Sequence, residues 1–136
     1  MAQSRRGGSA ADDAGKLMLR VTLALLMLFH GYAKIRNGVS GIEGMLTGAG
    51  LPAWLAYGVY IGEVLAPLLL LLGWYARVGG VIIAINMVFA VALAHSKQFL
   101  DLTKTGGWAL ELQAFFLICG LVVALIGPGR YAVNNR

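Results

Sequence analysis

Cysteine is nearly absent from this chain. The single Cys119 leaves no internal disulfide and no Cys-x-x-Cys pair, which argues against a membrane thiol oxidase passing electrons from paired cysteines to quinone. Acidic residues are also scarce, six Asp and Glu against eleven Lys and Arg. With charged residues at 12% and hydrophobic residues at 59%, the chain is too apolar for an ordinary soluble domain. It lacks a c-type haem attachment motif, a Walker loop, a Rossmann fingerprint and a zinc-binding cysteine cluster. The net charge of +5 does not indicate nucleic acid as a partner, because such a site gathers its basic residues on one face. Here they stand at the ends of apolar runs, as cations do at the borders of a bilayer.

Four apolar runs meet the requirement of roughly 20 residues per crossing, over residues 17–36, 54–74, 77–95 and 108–126. The first is longer than a signal-peptide core and has no Ala-x-Ala site after it. Residues 1–16, small, polar and basic at Arg5 and Arg6, are expected to form a disordered cytoplasmic tail, and residues 131–136 a second tail. The turn at Tyr75 and Ala76 is too short for anything but a hairpin. The expected fold is all-α, an integral membrane antiparallel four-helix bundle, with a short surface helix in the first outer loop. That loop, residues 37–53, carries Ile42, Met45 and Leu46 at helical spacing, and Gly50-Leu51-Pro52 would end the helix. Gly127, Pro128 and Gly129 stop the last span.

Charge orients the bundle. Arg5, Arg6, Lys16, Arg20, Arg77, Arg130 and Arg136 fall on the side of the termini, against Lys34, Arg36, Lys97 and Lys104 on the other. The excess places both termini in the cytoplasm. The three tryptophans, Trp54, Trp74 and Trp108, all stand at span ends, as an interfacial belt requires.

Within this frame Glu63 is the anomaly, a carboxylate about 14 Å from the outer face on a rise of 1.5 Å per residue. At that depth it must face protein or trapped water and find a donor or a proton. Pro67, four residues on, removes the N–H that would serve the Glu63 carbonyl. Gly58, Gly62 and Ala66 form a stripe on which another helix can lie closely. On the first helix Arg20, His30 and Lys34 share a face. Tyr57 and Tyr60 add hydroxyls outward of Glu63, and Glu111 and His95 lie nearer the outer surface. The expectation is a polar funnel that opens outward and ends at Glu63.

Two readings of these residues stand side by side. Glu63 with His30 or Lys34 is a buried structural pair, or it handles protons, since a carboxylate beside an imidazole passes one at ordinary pH. The candidates for ligand binding or proton handling are Glu63, His30, Lys34, Tyr57, Tyr60, Glu111 and His95. Arg20 is expected to snorkel to the cytoplasmic surface, Asn86 to form an interhelix hydrogen bond, Arg77 to be structural, and Cys119 to be packed. No metal site is expected, because His30 and His95 differ in depth and no spacing motif joins them.

The segment Phe29-His30-Gly31-Tyr32-Ala33-Lys34 resembles the first-helix signature of the DoxX family. So do Gly50-Leu51-Pro52, Gly62-Glu63 followed by Gly73 and Arg77, and the tail Gly127-Pro128-Gly129-Arg130-Tyr131. The resemblance runs from residue 17 to 131 and puts Arg20, His30, Gly31, Lys34, Gly62, Glu63 and Arg77 at family-pattern positions. It implies a small bacterial inner-membrane protein of four helices, in a family named for similarity to a subunit of an archaeal quinone-linked oxidase and thiosulfate:quinone oxidoreductase system. Relatives often end in Ser-Leu-Asp where this chain has Ala132-Val133-Asn134, so a tail carboxylate and any ion pair it makes are missing.

These observations support an accessory membrane subunit of a redox pathway that binds a quinone or similar amphiphile in the outer half. Having no redox centre in its sequence, it would need a redox partner protein or bound cofactor for electrons. The alternative is a non-enzymatic scaffold that recruits a partner. A third reading, a small-solute or proton pathway, is weakened by a cytoplasmic half that is apolar apart from Arg20 and Asn86. The glycine stripe serves packing within the bundle or between copies in a homo-oligomer.

Overall fold

The computed structural model describes residues 9–95, 100–134 and 136. Helix α1 spans Ala10–Asn37 and starts well before the apolar run. Ser9 caps it, accepting from the Asp12 N–H at 3.0 Å while the Asp12 carboxylate accepts from the Ser9 N–H at 3.5 Å. One turn in, buried Asp13 accepts from the Arg130 N–H at 3.1 Å. Residues 10–16, expected in a disordered tail, are therefore helical, held by a capping box and by a contact too distant in sequence to read. Residues 1–8 of that expected tail lie outside the described residues.

Gly38, at φ 78°, ends α1, and α2 (Ser40–Gly48) follows as the expected surface helix. Gly50 at φ 80° and a Leu51 N–H donating to the Leu46 carbonyl at 2.8 Å close it. Its buried Leu46, with Val39, packs on Ala56 and forms a small core of its own.

Helix α3 runs over Ala53–Leu72 and changes pitch three times, with an α-helical stretch at Gly58–Tyr60 between its tighter and wider turns. It opens as a 3-10 turn (Ala53–Tyr57), widens to a π turn at Ile61–Leu65, and continues as α-helix over Ala66–Leu72. The wide turn immediately precedes Pro67, whose ring and missing N–H disfavour an ordinary turn upstream. Gly73 (φ 67°) ends α3 in a Schellman motif, with Gly73 N–H donating to Leu70 at 3.1 Å and Trp74 N–H to Leu69 at 3.0 Å. Helix α4 (Ala76–Ala90) continues into a second π turn, Val91–His95. Helix α5 (Glu111–Ile126) is shorter than the expected fourth span, beginning at Glu111 rather than Trp108, and Gly127 (φ 78°) stops it. The other outer loop falls partly outside the described residues, and its described part holds a single antiparallel bridge between Leu102 and Trp108.

Among the described residues three helices are long and apolar enough to cross a membrane: α1, α3 and the stretch Ala76–Leu93 that contains α4. The fold is thus all-α and multi-spanning, with shorter helices that do not meet that length. Helix α1 packs along α3, α3 along α4, α4 along α5, and α5 back against α1. Leu23, Met27, Leu70, Ile83, Phe116 and Val123 fill the centre, with Cys119 packed among them. Glycines set the approach. A Cβ on Gly80 would collide with the Gly120 carbonyl oxygen, and one on Gly120 would stand 2.6 Å from that of Gly80. Helices α4 and α5 therefore meet backbone to backbone.

At the end carrying both termini, two arginines hold helix C-termini. Arg20 is fully buried and does not snorkel. It donates to the carbonyls of Leu70 at 2.6 Å, Leu71 at 3.5 Å and Pro128 at 2.9 Å, and also to that of Tyr131. The last carbonyls of α3 lack a regular i+4 donor, that of Leu70 having only the Gly73 N–H of the cap, and carry the negative end of its dipole. They answer the guanidinium closer at hand than surface water does. Arg77 does the same for α5, donating to Ala124 at 3.0 Å and Leu125 at 2.8 Å. The tail then ties the α3–α4 turn: Asn134 Oδ1 accepts from the Tyr75 N–H at 3.0 Å, beside a Tyr75 backbone at φ 50°. An amide oxygen thus fills this acceptor position although the tail carboxylate is missing.

Lysine cannot span the separated carbonyls that the Arg20 fork reaches, and each one orphaned in the interior costs about 1–3 kcal/mol. Arg20→Lys is therefore expected to lower stability in detergent by about 2–4 kcal/mol, read as a fall in the thermal midpoint. An unchanged midpoint would show that the fork contributes nothing.

Candidate functional site

Glu63 sits in the π turn of α3, 5% exposed, and three helices meet at its carboxylate. Lys34, in the last turn of α1, donates from Nζ to Oε1 at 3.0 Å, and Asn86 of α4 donates from Nδ2 to Oε2 at 3.1 Å. Tyr60 fixes the end of α1 from below, its hydroxyl donating to the Lys34 carbonyl at 3.1 Å. Two glycines make room for this convergence. A Cβ at Gly62 would lie 2.5 Å from Asn86 Cγ, and one at Gly31 would collide with the Glu63 carbonyl oxygen. The π turn matters for the same reason. Ala66 N–H donates to Ile61 O, five residues back, so the turn holds one residue more than an α-turn and re-aims the side chains around Glu63.

The other candidates are distributed differently. His30 is exposed and packs edge-on against Phe116 of α5, with ring centroids 5.7 Å apart at 86°. The donors on Glu63 are Lys34 and Asn86, so the expected imidazole–carboxylate pair is not the one formed. The reason is angular: on α1, Lys34 turns toward α3 while His30 turns toward α5. Tyr57 is exposed and reaches only the Tyr60 ring, 6.2 Å away. Glu111 is exposed at the start of α5 beside Gly107, where a Cβ would stand 2.8 Å from both its oxygens. The His95 side chain lies outside the described residues. Arg20 and Arg77 serve the opposite end, Arg20 about 21 Å from Lys34 along α1. Among the described residues no three His, Cys, Asp or Glu side chains converge as metal ligands.

A cavity of about 480 Å³ leads to Glu63, within the range of small-molecule sites. Its walls are apolar, from α2 (Ile42, Met45), α3 (Val59, Ile61) and α4 (Ile85, Phe89), and its polar groups are Lys34, Glu63 and Asn86 at one pole. Gly58 borders it with open space where a Cβ would be. Sequence reasoning placed a short surface helix in the first outer loop but did not make its apolar residues a cavity wall. It also read Asn86 as an interhelix hydrogen bond without finding its acceptor. The available signal was that Asn86, mid-helix in an apolar run, needs a polar partner on the preceding helix.

Apolar helices long enough to cross a bilayer, enclosing a cavity that ends on a buried ion pair, define a multi-pass membrane protein with room for a guest. The chain belongs to the DoxX family, whose profile matches residues 15–96, the stretch that carries Lys34, Glu63 and Asn86. It is similar to "Putative oxidoreductase CatD" of Bacillus subtilis (strain 168), 29% identical over 85 residues that cover 62% of this chain and 63% of that protein. The chain thus spans just under two thirds of that relative's length. It is also similar to a Haemophilus influenzae (strain ATCC 51907 / DSM 11121 / KW20 / Rd) protein described as uncharacterized, 26% identical over 122 residues and 87% of each chain. No solved structure matches it significantly.

Breaking a buried pair costs more than replacing it whole, since a lone partner keeps its desolvation penalty. Lys34→Met is expected to destabilise the protein by about 2–3 kcal/mol, the low end because the lysine side chain is 28% exposed. The double variant with Glu63→Met should recover much of that loss in thermal unfolding. Additive losses would show that the two charges are not coupled.

Proposed function

We propose that this protein is an accessory membrane subunit of a redox pathway that holds a quinone or similar amphiphile between α2, α3 and α4. The observation that carries the reading is the apolar cavity of about 480 Å³ whose polar groups, Glu63, Lys34 and Asn86, lie together at one pole. An apolar tube ending in a few convergent polar groups suits a molecule with a greasy tail and a hydrogen-bonding head. Lys34 and Asn86 position Glu63 and touch the head group, and Glu63 handles its proton. Electrons come from a redox partner, because the chain supplies no redox centre. The similarity to a protein named as an oxidoreductase supports this direction.

In this reading α5 also crosses, completing an antiparallel four-helix bundle in a bacterial inner membrane with both termini in the cytoplasm. The bias of Lys and Arg toward the terminal side supports that orientation. The cavity then lies in the outer half. A second reading is favoured by one observation: both Glu63 oxygens already have protein donors, as in a purely structural polar contact. The protein would then be a scaffold that recruits a partner, alone or as a homo-oligomer.

Quinone titration of the purified protein separates the two. Under the ligand reading Glu63→Gln weakens binding about tenfold, because Lys34 and Asn86 lose the charged acceptor that aims their donors at the head group. Gly58→Phe fills the cavity and abolishes binding while the thermal midpoint stays within a few degrees. Under the scaffold reading no saturable binding is seen, and Glu63→Gln only lowers the midpoint. Wild-type affinity in both variants would remove this cavity as the site.

A further inference from the structure

The cavity's polar pole has a definite chemistry, and its walls have a definite direction. The lining residues that ionise are Lys34 and Glu63, and they neutralise one another at 3.0 Å. A charged head group at this pole would therefore bring an unanswered charge into an apolar enclosure. Each Glu63 oxygen already accepts a hydrogen bond. The Lys34 ammonium has three N–H bonds and uses one on Glu63, and the Asn86 amide has two and uses one. The pole therefore keeps three free N–H bonds, two on Lys34 and one on Asn86, beside the second lone pair of each Glu63 oxygen and the Asn86 carbonyl oxygen.

Three of the walls point away from the bundle. Ile61, Ile85 and Phe89 line the cavity yet are 50%, 51% and 56% exposed. All three belong to helices long enough to cross the membrane, so their open faces meet hydrocarbon. On the side of α2 the lining residues Leu46 and Ala56 are closed together, 3% and 1% exposed, and Met45, Leu51 and Leu55, at 36%, 39% and 39%, are less open than the three walls of the α3–α4 cleft.

We infer that the cavity is filled sideways from the bilayer, through the α3–α4 cleft at Ile61, Ile85 and Phe89, by an uncharged amphiphile whose head carries a hydrogen-bond acceptor. The head accepts from Lys34 and Asn86, and the tail trails out between the two helices into the lipid. This deepens the ligand reading above and rests on it. It excludes fatty-acid anions and alkylammonium cations as the resident guest, and it excludes arrival from water past α2.

The test uses the whole protein in lipid nanodiscs and three probes of equal tail: decylbenzoquinone, decanoate and decyltrimethylammonium. The neutral probe is expected to bind saturably, at least about tenfold more tightly than either charged one. A photoreactive diazirine at the end of its tail should label Ile61, Ile85 or Phe89, located by mass spectrometry of the digest. Ile85→Trp, a bulkier side chain in the cleft, should slow uptake severalfold, and uptake at the wild-type rate would overturn the lateral route. Equal or tighter binding of a charged probe overturns the inference, as does labelling confined to residues 42–51. Both of those outcomes leave the cavity as a ligand site. No saturable binding of any probe overturns the ligand reading itself and this inference with it.

Discussion

A carboxylate held away from water in an apolar helix must be answered, and the answer here organises three helices. Glu63 of α3 takes one donor from α1 and one from α4, so the geometry of its two oxygens fixes how these helices stand relative to one another. The glycines at positions 31 and 62 follow from that demand: they remove the atoms that would keep α1 and Asn86 from reaching the acid. The π turn does the complementary work within α3, changing the facing of one stretch without ending the helix.

The opposite end of the bundle meets a different need with similar means. Helix C-termini expose carbonyls that lack intrahelical donors. Arg20 reaches those of α3 from α1, and Arg77 reaches those of α5 from α4. Each guanidinium thus links two helices that already pack together, and Arg20 adds the segment after α5 through Pro128 and Tyr131. Polar chemistry is thereby split between two poles. One satisfies backbone groups at helix ends, while the other leaves unused donors facing a cavity.

Much of this was legible in the sequence because a bilayer imposes simple rules of length and polarity. The apolar runs, the hairpin at Tyr75 and Ala76, a short surface helix within residues 37–53 and the prominence of Glu63 all follow from such rules. What escaped depends on side-chain direction and on contacts distant along the chain. His30 and Lys34 share a face by helical angle, yet the difference of one turn sends them to different neighbours, Phe116 and Glu63. Arg20 looked like a surface residue because its acceptors, 50 and 108 positions away, carry no signature in a run of leucines or a Gly-Pro pair. The early start of α1 escaped because Asp13 meets Arg130 only after the whole chain has folded back.

The backbone contact at Gly80 and Gly120 has a mechanical consequence. Two helices touching without side chains between them have no soft layer to compress, so α4 and α5 act as one stiff plate. The cavity therefore has one fixed wall and cannot swell in that direction. Any breathing that admits a bulkier guest falls to α3, on the other side of the cleft, and to α2, whose Gly41, Gly44 and Gly48 have open space where a Cβ would be.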